Sequence, residues 1–403
     1  MNIVYVTNEF PGEMPAGGLA TYIKNISAIM RAHGHHVTVL TLSEKQSRVY
    51  MLENGVEIVT VKWHGYSGKL WRKQKSLIET FMNAWHIHRR LITYEAEHKV
   101  DMIQSANIGG VGLFRTKYPT VVRLSSDGIL WREADKYIFS KNQLSNHFQF
   151  EDWVEYITEK RADAVFAPGK ITAKIVSQRT GKPVSVIESP FYMDDLKEDK
   201  KIYNLELSGK KYFLIHGSLQ NRKGTKVVAE SLYTMLDRYK DIYFVFAGAN
   251  YWIDKNGERI RSVLYLKNFA QQYADRVIYL GVLSKNQLFP IIKGAMACIL
   301  PSRIENLSNA CIEAMGLGKI VIATANAGYG QLITHKQNGL LFERDSAVAL
   351  EKAVDYFLHM SNAQKEKMEY MAQETIGRLD AENCYQKLMG FYRTVVKASK
   401  RQE

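Results

Sequence analysis

The chain has 403 residues, too many for one simple core, and its 46% hydrophobic and 24% charged residues predict two soluble globular domains of ordinary size. It contains no apolar run long enough to span a bilayer, and its three cysteines (Cys298, Cys311, Cys384) are too far apart for a disulfide framework or a zinc knuckle, which fits a reducing cytoplasm. A formal net charge of +13 favours anionic partners, either phosphates or acidic lipid. Nucleic acid is disfavoured, because no zinc finger, RNP-like aromatic motif or long Lys/Arg tract is present.

The N-terminus "MNIVYVTNEF" reads as a first strand over 2–8 rather than a signal peptide. In the segment 17–34 that follows, Leu19, Ile23, Ile26, Ile29 and Met30 keep helical spacing and Gly34 is placed to end the helix. Strands are predicted at 36–42, 56–61, 100–106, 120–125, 162–168 and 184–189, with a long helix at about 71–98 and another before 162. Polar residues over 192–210 read as a linker. The alternation then restarts, with strands at 211–217, 242–248, 276–281, 297–302 and 319–324. Helices are expected between them at 223–238, 258–274, 284–293 and 308–317. From Ser346 to about Ala398 the pattern is mostly helical.

Strands separated by helix-length connections predict parallel sheets covered on both faces. The architecture is therefore α/β, with two doubly wound Rossmann-like domains at 1–195 and 205–379. Ligands of such domains sit at the carboxyl ends of the strands, so a cleft between the two is the default site.

Three loops carry the candidate chemistry. In "NEFPGEMPAGGLATY" the pair Gly17-Gly18 opens a helix; it is either a phosphate-approaching turn or a plain flexible one. In "HGSLQNRKGTK" a strand ends at Gly217, and Arg222-Lys223-Gly224 precede a helix. Cations at a helix N-terminus oppose its dipole, so an anionic ligand is expected to offset the cost. In "SRIENLSNACIEAMGLGK", Glu305 is expected in the loop before a helix capped by Ser308 or Asn306, with Glu313 about a turn inside. Eight helical residues rise roughly 12 Å, so the two carboxylates cannot grip one small ligand atom; they either grip different parts of one long ligand or decorate a helix face. Glu313 lies in an otherwise apolar helix and needs partners.

Together these loops resemble the retaining, nucleotide-sugar-dependent glycosyltransferases of GT-B fold and family-4 type. The likeness runs through "AGGLATYIKNISAIMRAHGHHVTVLT", "ADAVFAPGKITAKIV", "GSLQNRKG", "VIYLGVLSKNQL" and the E-x7-E block from Glu305 to Glu313. It implies transfer of a sugar, with retention, from a nucleotide diphosphate sugar to a glycan or lipid-linked acceptor, in bacterial surface polysaccharide or lipopolysaccharide synthesis. It further implies no metal and no other cofactor.

By the same resemblance, Lys223, assisted by Arg222, binds the donor phosphates and Glu305 faces the transferred sugar. Gly17, Gly18, Gly217, Ser218, Asn306, Leu307 and Ser308 line the donor, Glu313 holds the ribose hydroxyls, and the backbone at Gly281-Val282 edges the nucleobase. A C-terminal helix at about 380–403 is expected to return to the first domain. Two departures stand out. Ser125, followed by Ser126, occupies a position where many members carry a histidine on the acceptor side, and Ser218 stands where an arginine is common. They motivate a second reading, a catalytically degenerate protein that binds nucleotide sugar or glycan.

One further stretch, "VKWHGYSGKLWRKQKS" over 61–76, interleaves basic and aromatic residues. Lys69, Trp71, Arg72, Lys73 and Lys75 mark either a surface resting on the anionic inner face of the cell membrane or a solvated face whose tryptophans anchor a helix.

Overall fold

The computed structural model describes residues 1–15, 17–65, 75–126, 128, 130–131, 150–191, 197–253 and 258–400. They form two compact units, one taking the described chain up to 191 and again from 380, the other running from 197 to 379.

The first unit is built on an eight-stranded sheet. Its strands are β1 (Asn2–Thr7), β2 (His36–Ser43), β3 (Val49–Met51), β4 (Glu57–Lys62), β5 (Met102–Ala106), β6 (Thr120–Arg123), β7 (Ala164–Ala167) and β8 (Val184–Val186). They lie in the order β3-β4-β2-β1-β5-β6-β7-β8. All neighbours are parallel except β3, which pairs antiparallel with β4 at the edge. Helices α1 (Gly18–Ala32), α2 (Lys75–Glu97), α3 (Phe150–Arg161) and α4 (Lys170–Thr180) supply long connections between parallel strands. The apolar stripe of α1 is buried as its spacing predicts, and the chain leaves the helix through Gly34 at φ +77°.

The second unit has a six-stranded parallel sheet in the order β13-β10-β9-β14-β15-β16. Its strands are β9 (Lys211–His216), β10 (Ile242–Ala247), β13 (Val277–Tyr279), β14 (Ala297–Leu300), β15 (Val321–Thr324) and β16 (Leu340–Phe342). A small antiparallel pair, β11 (Trp252–Ile253) and β12 (Arg259–Ile260), lies apart from it. The helices are α5 (Thr225–Arg238), α6 (Ser262–Ala270), α7 (Lys285–Gly294), α8 (Asn309–Gly316), α9 (Ala347–His359) and α10 (Asn362–Gly377).

The described part of the polar stretch read as a linker is tied to this second unit. The Asp199 N–H donates to the Asn286 carbonyl at 3.0 Å, Lys293 pairs with Glu198 at 2.5 Å, and Leu207 is fully buried. The last helix, α11 (Ala381–Ser399), belongs to the first unit, and its Tyr385, Leu388, Met389, Tyr392 and Val395 join that unit's core.

Candidate active site

In the second unit, three loops leaving the carboxyl ends of β9, β14 and β15 meet. Their convergence follows from the sheet order, since β14 lies between β9 and β15. Backbone contacts lock them. The Arg303 N–H donates to the Arg222 carbonyl at 2.9 Å, and the Glu305 N–H donates to the Ala327 carbonyl at 2.7 Å. Two glycines permit this approach. A Cβ at Gly224, with φ +77°, would sit 2.0 Å from the Pro301 carbonyl oxygen, and one at Gly328, with φ +99°, would sit 2.2 Å from that of Glu305.

Within this clamp Lys223 Nζ meets Glu305 Oε1 at 2.5 Å. The glutamate side chain is 9% exposed and the lysine 26%, so the pair reaches solvent through the cation. Arg222 Nε donates to Gln220 Oε1 at 2.7 Å. Lys223 closes a single 3₁₀ turn, Asn221–Lys223, just before α5. The cost of a cation at this helix start is thus offset within the protein by Glu305, a partner that local sequence does not disclose.

Ser308 caps α8 by accepting the Cys311 N–H at 3.3 Å, as its position predicts. Asn306 and Ser308 are buried and Leu307 is half-buried. The fully buried Tyr329 has its hydroxyl among Glu305, Ser302 and Ser308, and burial pushes its pKa well above the usual tyrosine value. One helical turn into α8, Glu313 faces Lys285 at 3.4 Å. Burial raises the Glu313 carboxyl above the usual carboxylate range, and Lys285, at the first position of α7, works against that shift. Lys285 and Tyr329 are two members of the site that the motif did not mark. The signal for Lys285 was the need of a buried Glu313 for a partner.

Gly217, with φ +112°, donates its N–H to the Ala247 carbonyl at 2.9 Å, and Gly248 donates to Gly281 at 2.8 Å. These links place the ends of β9, β10 and β13 side by side. Ser218 follows Gly217, half-buried, and Val282 is 76% exposed at the rim. His216 is buried at the end of β9, where desolvation drives its imidazole down to about 4 and keeps it neutral.

Gly17, Gly18, Ser125 and Ser126 belong to the first unit. The start of α1 already holds an anion of its own. Glu9 Oε1 accepts the Ala20 N–H at 3.0 Å, and the amides of Gly17 and Leu19 also draw on this carboxylate. The amides of Gly17, Leu19 and Ala20 at this helix start are therefore engaged by Glu9, which favours the plain turn over the phosphate-approaching one. Ser125 Oγ accepts from Arg123 at 2.9 Å, and its N–H donates to Asn107 Oδ1 at 2.9 Å. Arg123 is buried over the Tyr22 ring at 3.8 Å and also donates to Ser189. Asn107 Nδ2 donates to the Ser126 carbonyl at 2.7 Å, so both serines are fixed parts of the β6 end.

Of the basic-aromatic stretch, Lys69, Trp71, Arg72 and Lys73 lie outside the described residues, and Lys75 is the first residue of α2. Along α2, Leu77, Phe81, Trp85 and Ile92 are all exposed, whereas Ala84, Ile87 and Leu91 face the core. Phe81 and Trp85 pack edge-on to Phe114 at 5.8 and 5.7 Å between centroids. Among the described residues no helix is long and apolar enough to cross a membrane.

The family described as Glycosyl transferases group 1 matches residues 197–376, and the Glycosyl transferase 4-like domain matches residues 17–188. A putative glycosyltransferase of Bacillus subtilis is 27% identical over 161 residues, 40% of this chain; the chain spans only 39% of that relative's length. The alpha-monoglucosyldiacylglycerol synthase of Streptococcus pneumoniae is 20% identical over 93% of this chain and 82% of its own. Among solved structures, sucrose-phosphate synthase from Thermosynechococcus elongatus shares the fold with a TM-score of 0.77 at 18% identity, covering 99% of this chain and 100% of that one.

Proposed function

Because this chain belongs to the glycosyltransferases of GT-B fold and family-4 type, we propose that it moves a sugar, with retention, from a nucleotide diphosphate sugar to a hydroxyl of a glycan or lipid-linked acceptor. The observation that carries this reading is the Lys223–Glu305 pair, held at the strand ends beside the capped helix that carries Glu313. A donor offers a partner to each charge. Its diphosphate attracts Lys223, with Arg222 beside it, and its sugar hydroxyls donate to Glu305. Its ribose hydroxyls donate to Glu313, which Lys285 helps to keep ionised.

In the transfer step the bond from the anomeric carbon to the diphosphate breaks and the acceptor oxygen bonds to that carbon on the same face. The departing phosphate takes the acceptor proton, so no side-chain base is required at Ser125. Lys223 stabilises the charge that grows on the leaving group. With cations and helix-start amides in that role, the reading needs no metal. The sugar, the nucleotide and the acceptor belong to surface polysaccharide or glycolipid synthesis, and the exposed apolar stripe of α2 suits an acceptor held at an anionic membrane surface.

A panel of UDP-, GDP- and ADP-sugars, scored for thermal stabilisation, hydrolysis and transfer to acceptor extracts, tests the assignment. One donor should stabilise and turn over in the parent and fail in Lys223→Ala and Glu305→Ala. Parent-like behaviour of both variants overturns it. Donor binding without transfer to any acceptor favours the second reading, which Ser125 motivates, of a nucleotide-sugar-binding partner.

A further inference from the structure

At the amino ends of the strands of the first unit, on the opposite edge from the ends used for chemistry, lies a cavity of about 810 Å³. Its walls are the residues just before β1, β5 and β6 and the last turns of α11. Five of its lining side chains are cations: Lys99, Lys117, Arg393, Lys397 and Lys400. Among the described residues the one acid in its lining, Asp101, accepts the Asn2 N–H through Oδ2 at 2.8 Å and so serves the strand backbone.

Like charges gathered in a concavity repel one another and destabilise a fold unless something compensates. Among the described residues none of the five cations forms an ion pair; Lys117 has only the Tyr118 ring at 5.2 Å and the longer-range influence of Glu95. The C-terminal dipole of α11 explains a cation at Lys397, but not Lys99 or Lys117, which stand on other segments. Between the charges the walls are apolar, with Val100 buried and Pro119 and Val396 half-buried. The volume is in the range of small-molecule sites, roughly 300–1,000 Å³.

We infer that this cavity is a second ligand site, separate from the sugar-transfer site, for a small phosphate-bearing molecule with an apolar or sugar body. Cations from three separate segments converge on its phosphates, and the apolar wall takes the remainder. The shared chemistry is a phosphate group, carried either by a free metabolite or by a lipid headgroup.

The test uses the full chain carrying Lys223→Ala, so that the donor site does not compete for pyrophosphate, together with Phe81→Gln and Trp85→Gln, so that the apolar stripe of α2 does not hold the vesicles. Inorganic pyrophosphate is titrated calorimetrically, and vesicles of phosphatidylglycerol or phosphatidylcholine are assayed by co-sedimentation. The same measurements are made with Lys117→Glu added, and separately with Lys397→Glu added. Both changes are at exposed positions, and each variant is checked for an unchanged thermal midpoint without ligand. A rise in the pyrophosphate Kd of tenfold or more in both variants supports the site with a free phosphate compound as its ligand. If only phosphatidylglycerol vesicles bind, and both variants release them, the ligand is a lipid headgroup. If pyrophosphate and vesicles bind the variants as they bind the parent, or bind none of them, the inference fails.

Discussion

Lys223 and Glu305, 82 positions apart in sequence, meet at 2.5 Å because the register of β9 on β14 brings their two loops to one strand edge. The pair holds an anion and a cation side by side at the strand ends, and a donor exchanges partners with both. Deleting the lysine leaves a nearly buried carboxylate uncompensated. Lys223→Ala should therefore lower stability by about 2 kcal/mol and turnover by a hundredfold or more. The double variant Lys223→Met/Glu305→Gln should regain most of the stability and none of the activity. Denaturant midpoints and turnover, measured together, separate the two roles, and a double variant as active as the parent would falsify the catalytic one.

The position of Glu305 depends on Gly328, whose missing side chain lets the two loops touch. In Gly328→Ala the new methyl would press on the Glu305 carbonyl and occupy a positive φ. A loss of about 2 kcal/mol is expected from strain and displacement together, and turnover should fall with it. Gly330→Ala, where a Cβ meets open space, is the control and should leave both within error. Equal behaviour of the two variants would remove Gly328 from the account of the site.

The βα alternation was legible because strands of a covered parallel sheet are apolar on both faces and helices are not. What escaped was short. Val49–Met51 (β3) and the two-residue β11 and β12 are too brief to show a period, and Arg259–Ile260 (β12) falls inside a segment read as helix. Leu340–Phe342 (β16), which closes the sheet edge, is likewise too short to show a period and lies in a stretch to which the pattern assigns no element. At the site, Ser308 as cap and the loop position of Glu305 could be read from local spacing. The Lys223–Glu305, Lys285–Glu313 and Glu9–Ala20 contacts could not, because each needs the register or the connection that brings separate segments together.

Glu313 gives a pH signature. Its folded-state carboxyl lies above the unfolded value, so folding binds its proton more tightly. The resulting stability is present at low pH and lost as pH rises through the raised folded value. Lys285 opposes this shift, so Lys285→Met should raise the Glu313 pKa further and make the variant lose stability more steeply toward neutral pH. Nucleotide binding, which calls on the ionised carboxylate, should weaken about tenfold near neutrality and recover as pH rises, with kcat little changed. Titration of nucleotide affinity across pH in parent and variant checks both directions. A variant profile that overlays the parent's would exclude Lys285 from donor recognition.

The exposed stripe Leu77, Phe81, Trp85 and Ile92 on α2 recurs at helical spacing on the side away from the core. Arg89 on the same helix and, in sequence, the basic stretch 69–75 leading into it supply charge. An interface of this kind combines apolar insertion with attraction to anionic headgroups at about 1 kcal/mol per Lys or Arg. Co-sedimentation with phosphatidylglycerol vesicles should therefore be strong at low salt and released by salt. It should fall about tenfold when Phe81 and Trp85 are both changed to Gln, and by at least as much when Lys69, Arg72, Lys73 and Lys75 are neutralised. Because these residues stand outside the assigned donor site, hydrolysis of the donor in solution should continue at the parental rate in both variants. Vesicle binding that survives both sets of changes would leave the aromatic rings as packing against Phe114 alone.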